Sequence, residues 1–155
     1  MQPELRTVAA KYATGISVST TNMNEFTPGL GKIPGLWARF FSEDLYNSIP
    51  NRTPDGIPVG VYVDFEDGYT GTFTVLAGVA TTGLSAVPDG MRGITLEAGR
   101  YLVFTSKGAM PAAVIAAWTA IWQYFQSTQE YQRAYKTDYE WYTGPDEVEI
   151  HISIL

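Results

Sequence analysis

The stretch EVEIHISI at 147–154 alternates without a break. Val148, Ile150, Ile152 and Ile154 fall on one side and Glu149, His151 and Ser153 on the other. Successive side chains of a strand point to opposite faces, so this period of two predicts a β-strand with one apolar face that must be covered. The turn-rich TGPDE precedes it, and before that TDYEWY at 137–142 again reads as strand. The end of the chain is therefore a hairpin. A lone hairpin is marginal in water, so the rest of the chain must supply more sheet and something to lie on it.

The remainder supplies both, twice. Residues 4–20 contain β-branched and alternating stretches, which predict one strand with a break near Gly15; TNMNEFTPGLGK after it is turn-rich. IPGLWARFFSEDLYNSI at 33–49 has Trp37, Phe40, Phe41 and Leu45 at helical spacing, with Pro34 in the first turn. IPVGVYVDFEDGYTGTFTVLAGVATT is a hairpin. Val59, Val61, Val63 and Phe65 share one face, Tyr62 and Asp64 the other, and Phe73, Val75, Ala77 and Val79 line one side of the return strand. The breakers in GLSAVPDG, 83–90, separate two halves. In the second, two short strands flank Ala98–Gly99. A helix over 111–128 then carries a stripe of Ile115, Trp118, Trp122 and Phe125, followed by the terminal hairpin.

Each half thus runs strand, helix, strand, strand. LWARFF at 36–41 aligns with IWQYFQ at 121–126, setting Trp37 against Trp122 and Phe40 against Phe125. The expected fold is α+β: duplicated strand–helix–strand–strand units, one antiparallel sheet with two helices, and a central groove between the halves. The 155 residues are read as one domain, with repeats over about 1–82 and 90–155. Repeat interfaces favour small-molecule pockets.

TDYEWY sends Asp138, Glu140 and Tyr142 to one face and Tyr139 and Trp141 to the other. An ionised carboxylate among rings is costly to desolvate unless it is paired. Either Glu140 sits at a wet rim, or its partner comes from outside the chain. Tyr142 shares its face and is placed to donate a hydroxyl to it. Trp118 and Trp122, four apart, share a helix face, as core or as a pocket wall; Trp37 carries the same two readings. Asn22 and Glu25 sit where rim residues belong, though turn and capping chemistry accounts for them too.

Other chemistries are excluded more firmly. There is no cysteine, hence no disulfide and no thiolate site, and one histidine, His151, hence no histidine metal cluster. Glu149 and Ser153 beside it suggest a half-exposed strand surface. No G-x-S-x-G context accompanies it, and GLGK at 29–32 lacks the residues of a phosphate loop. With a net charge of −6 and ten scattered Lys and Arg, direct nucleic-acid binding is not expected. No apolar run approaches a membrane span, and the first residues do not resemble a secretory signal. The expectation is a cytoplasmic protein with no cofactor and no metal. A homodimer or a protein partner is left open.

Four stretches in order carry a resemblance over nearly the whole chain: VAAKYATGISVSTTN at 8–22, IPGLWARFF at 33–41, GVYVDFEDGYTGTFTVLAGV at 60–79, and IWQYF with TDYEWYTGPDEVEIHISI within 121–154. The last is the most specific, a Y-E-x-Y strand, a polar turn and a terminal apolar strand. The chain resembles the GyrI-like effector-binding family, the ligand domains of AraC- and MerR-type multidrug regulators and related free-standing proteins. It departs at His151, where an aromatic is common, and at Ser153, where proline is common, a difference expected at the rim of a pocket. The resemblance implies a central groove for small cationic, aromatic or amphipathic molecules. Glu140 would be the acidic contact, with Tyr62 among the aromatic residues lining the groove. No helix-turn-helix precedes the first strand, so a stand-alone drug-sensing or sequestering protein is implied. Two alternatives come with the family: a hydrolase of reactive cyclopropane-type natural products using the same groove, and a protein-interaction role like that of gyrase inhibitors.

Overall fold

The structure, a computed structural model, describes residues 2–127 and 130–155. Strands β1 (Glu4–Val8) and β2 (Lys11–Thr21) lead into a short helix α1 (Asn22–Phe26), then α2 (Ile33–Ser42) and the single turn α3 (Leu45–Ser48). Strands β3 (Pro58–Val63), β4 (Thr72–Thr81), β5 (Arg92–Leu96) and β6 (Gly99–Lys107) follow. Helix α4 (Ala112–Ser127) and the hairpin β7 (Asp138–Gly144) and β8 (Glu147–Ser153) complete the chain. All eight strands form one antiparallel sheet in the order β1-β6-β8-β7-β3-β4-β2-β5. No helix among the described residues is long and apolar enough to cross a membrane.

The order is symmetric about the β3–β7 pair. It also shows an exchange that the sequence does not announce: β1 crosses to pair with β6 of the second half, and β5 returns to pair with β2 of the first. Each half is tied to the other at its outer edge as well as at the centre. Three cores result. Val61, Leu76, Ile94, Leu96, Tyr101 and Tyr139 pack together without a helix, because the sheet curls until its own strands meet. On the other face, Leu36 and Phe40 of α2 cover Val75, Ala77 and Val79. Ala117 and Ile121 of α4 cover Phe104, Ile150 and Ile152. The gap between α2 and α4 opens over β3 and β7.

Several local expectations change. The break in the first strand falls at residues 9–10; Gly15 is mid-strand, facing Gly78. A Cβ on Gly15 would overlap the Ala77 carbonyl and stand 2.5 Å from the Gly78 Cα, so the two glycines let β2 and β4 approach at that point. The turn-rich segment holds α1, capped by Thr21. The helix expected over 33–49 stops at Ser42, because Asp44 takes a left-handed conformation (φ 53°) that no helix continues through. Asp64 does the same at φ 55°, and so Phe65 leaves the face of Val63 and joins the helix side with Tyr62. In α4 the stripe divides. Ala113, Ala117 and Ile121 form the buried seam, Phe125 packs beside it, and Ile115, Trp118 and Trp122 turn to the gap.

His151 is 4% exposed, not half-exposed. Its ring stacks on Tyr139, its register partner, at 4.4 Å, on the sheet face away from the gap. Ser153 is buried as well and donates to Asp138. Neither departure from the family pattern reaches a pocket rim.

Two predictions follow from this packing. Gly15→Ala must push β2 off β4 and is expected to lower stability by about 3 kcal/mol. Gly35→Ala, in α2 with nothing near its Cβ, should hold or raise stability; urea melts of the two variants make the comparison. Burial, with Lys11 and Arg6 nearby, pushes the His151 imidazole down to about 4. An unfolded histidine takes its proton near pH 6.5. The stabilisation from a neutral His151 is therefore full above pH 6.5 and drains as pH falls toward 4, by up to about 3 kcal/mol. The stability gap between the native chain and His151→Phe should shift by that amount across the window and be level outside it.

Candidate functional site

The gap between α2 and α4 is a cavity of about 990 Å³. All six residues expected at a site border it: Glu140, Tyr142, Tyr62, Trp122, Trp118 and Trp37. Asn22 and Glu25 stand at its edge. Glu25 also does the capping work: its carboxylate accepts from the Lys32 and Ile33 amides at 2.8 and 3.1 Å, at the start of α2. Asn22 donates to the Tyr69 carbonyl and so ties α1 to the β3–β4 loop.

The floor is the central strand pair. Gly60 of β3 faces Glu140 of β7 in register. Two residues beyond each comes a tyrosine: Tyr62 pairs with Val75 of β4, and Tyr142 with Val148 of β8. Those are equivalent positions of the two halves, so Tyr62 and Tyr142 flank the Gly60–Glu140 pair symmetrically. A Cβ on Gly60 would come within 2.5 Å of Glu140 Oε1 and 3.3 Å of Trp37. The centre of the floor has room for one side chain, and it is the carboxylate.

Glu140 is 3% exposed. Tyr62 donates its hydroxyl to Oε2 at 2.8 Å, Trp118 its indole N–H to the same oxygen at 2.7 Å, and Tyr142 its hydroxyl to Oε1 at 2.9 Å. All three donors are neutral, and no ion pair to Glu140 occurs among the described residues. Burial raises the Glu140 pKa above the ordinary carboxylate value, against the lowering effect of those three bonds. Burial and the Glu140 charge together raise both tyrosines, so they stay protonated donors. The arrangement is a buried carboxylate held by neutral dipoles, with no countercharge among the described residues.

The walls repeat the symmetry of the floor. Trp118 meets Tyr62 edge-on at 5.0 Å, and Trp37 meets Tyr142 edge-on at 5.8 Å. The counterpart of Trp37 is thus Trp118, not Trp122. The short LWARFF match was one helical turn out of place, an ambiguity that a repeat of aromatics every three or four residues invites. Trp122 serves the mouth instead, stacked edge-on by Phe26 of α1 at 4.9 Å. Sequence reasoning passed over Gly60, Phe26, Arg133 and Tyr135. A glycine inside the apolar run PVGVYV was the one available signal, since it marks a close approach. No group of histidine, cysteine and carboxylate residues suited to a metal occurs among the described residues.

Known proteins share this architecture. An integron cassette protein from the mobile metagenome of Vibrio cholerae is 31% identical, over 99% of this chain and 96% of that one, with a TM-score of 0.86. A protein solved with tetraphenylphosphonium bound is 21% identical over 100% and 94% of the two chains, with a TM-score of 0.78. A putative transcription regulation protein from Staphylococcus aureus is 21% identical over 99% of each, with a TM-score of 0.70. The last two are likenesses of fold. No curated protein matches the chain. The profile of the integron-associated effector binding proteins (Cass2) matches residues 4–154, and the chain belongs to that family.

Proposed function

We propose that this protein binds lipophilic organic cations in the cavity between α2 and α4, as a drug-sensing or sequestering protein, with Glu140 as the fixed countercharge. One observation carries the reading: a carboxylate buried at the centre of the floor, held by three neutral donors and matched by no cation among the described residues. Donors prepare such a site without neutralising it. A guest bearing diffuse positive charge supplies the missing term, and it has little hydration of its own to lose. Tyr62, Tyr142, Trp118 and Trp37 offer ring surface around that point. Each well-placed ring adds on the order of 0.5–2 kcal/mol to a bound cation. Membership in an effector-binding family supports the reading, as does a similar fold solved around tetraphenylphosphonium.

The charge role separates cleanly from shape. Glu140→Gln keeps the volume and removes the anion. It should weaken tetraphenylphosphonium about 30-fold or more, within the 2–5 kcal/mol typical of a buried charge partner. Neutral tetraphenylmethane-like compounds of the same outline should change little in parallel titrations. Equal losses in both classes would remove Glu140 from its role. The variant should also melt no lower than the native chain at pH 7. A carboxyl whose folded pKa is raised contributes its stabilisation below about pH 4.5 and loses it as pH rises through the folded value, so at neutral pH the ionised group is a burden.

Affinity should follow the same ionisation. The cation needs the carboxylate, so its dissociation constant should rise as pH falls through the Glu140 pKa, above the ordinary value of 4.5. Binding should release protons there, read as a buffer-dependent heat, and the effect should vanish in Glu140→Gln. Gly60→Ala tests the floor itself. Its methyl displaces the carboxylate from the tyrosines, and cation affinity is expected to fall with the fold intact by circular dichroism.

A further inference from the structure

The cavity is also bordered by a cation, and that cation is not fully satisfied. Arg133, in the segment between α4 and β7, borders the cavity with a side chain only 7% exposed. Its guanidinium donates to Asp138 Oδ2 at 2.7 Å, and its central carbon stands 4.4 Å from the middle of the Tyr135 ring. The Nε is buried and has no acceptor among the described residues. Asp138 is the reverse case: its other oxygen accepts from the Ser153 amide and hydroxyl, each at 2.8 Å. The pair is complete on its acid side and one acceptor short on its basic side. A buried donor on a charged group is costly to leave unpaired, and this one belongs to a residue that faces a ligand-sized space.

The position of its partner Asp138 relative to Glu140 follows from the strand. Tyr62 faces Asp138 in register, and Asp138 lies two residues before Glu140, so both acids are on the cavity side of β7. Two residues of strand span about 7 Å. We infer that the preferred ligands are organic cations that carry a neutral hydrogen-bond acceptor, such as a ketone, ester or amide oxygen, roughly 7 Å from the positive centre. Glu140 takes the charge, and Arg133 Nε, turned slightly on its Asp138 contact, takes the acceptor. A neutral acceptor fits and a carboxylate does not: Asp138 already neutralises the guanidinium, and Glu140 repels a second anion. The inference rests on the proposed role of Glu140 and adds a selectivity that the charge alone cannot give.

Two matched cations test it: hexyltriphenylphosphonium and (5-oxohexyl)triphenylphosphonium, alike in charge and outline, differing in one carbonyl. The native chain should bind the ketone about tenfold more tightly, the size of one charge-assisted hydrogen bond. Arg133→Lys keeps the positive partner of Asp138 and lacks Nε. Whatever its affinity for the hexyl probe, it should lose the preference for the ketone. The carbonyl stretch of the bound ketone should fall in frequency in the native protein and not in the variant. An equal ratio of affinities in the two proteins, with both probes still weakened by Glu140→Gln, overturns the Arg133 assignment alone. Insensitivity of both probes to Glu140→Gln overturns it together with the reading it rests on.

Discussion

The carboxylate of Glu140 can lie buried at the centre of the sheet because the strand opposite it offers no side chain. At the centre of the sheet the two halves meet through β3 and β7, and equivalent residues come face to face. Two copies of any large side chain would collide there. Gly60 on one strand and Glu140 on the other resolve the conflict by breaking symmetry at one position. Around that position symmetry is kept, and Tyr62 and Tyr142 converge on the carboxylate from either side. A duplicated architecture thereby turns a crowding problem into a single fixed charge with donors on both flanks. The Trp118 indole adds a third bond from above, so the group is held from the sheet and from a helix at once.

Much of this was readable in the residues, for a physical reason. Strict alternation in β8 and in the β3–β4 hairpin sorted those side chains between faces correctly, because a period of two leaves only one register that buries the apolar set. The pairing of Glu140 with Tyr142 on one face followed from the same rule. What escaped was whatever depended on single backbone dihedrals or on partners far along the chain. Phe65 changed sides through one left-handed residue, Asp64. Trp37 was set against the wrong tryptophan, since a helix tolerates a shift of one turn without disturbing its apolar stripe. His151 looked half-exposed beside Glu149 and Ser153, yet the curl of the sheet closes a core over that face which no local pattern encodes. The exchange of β1 and β5 between halves is likewise a property of closure, not of either strand.

The site is expensive to the fold, and this argues about its purpose. A chain selected for stability alone would place Gln or Leu at 140 and fill the space between α2 and α4. Instead burial works against the ionised form of Glu140, and the helices stand apart around about 990 Å³. The stabilisation that tolerates this comes from elsewhere: the helix-free core inside the curled sheet, the tight Gly15–Gly78 approach, and the edge strands that cross between halves. Those features lie off the cavity, so the floor can be strained electrostatically without loosening the frame.

On the proposed reading, symmetry also explains why the walls matter more than the floor for choosing a ligand. The floor presents one charge and two equivalent tyrosines, which discriminate cation from neutral and little else. Apart from the Gly60–Glu140 exchange, the features that distinguish the halves around the cavity lie above the floor. The first half contributes a short α2 and the α1 rim, from which Phe26 reaches across to Trp122. The second contributes the long α4 and, below it, the Arg133–Asp138 pair beside Tyr135. Phe26, Phe41 and Ile115 remain more than half exposed at the mouth. They are apolar groups with no partner in the fold sufficient to cover them, placed where a guest's hydrocarbon would lie. A positive head at Glu140, an acceptor toward Arg133 and an apolar body leaving past these side chains satisfy three asymmetric features with one molecule. A compact symmetric cation satisfies only the first. On the proposed reading, the same pocket holds many cations loosely through its shared floor and ranks them through its unequal walls.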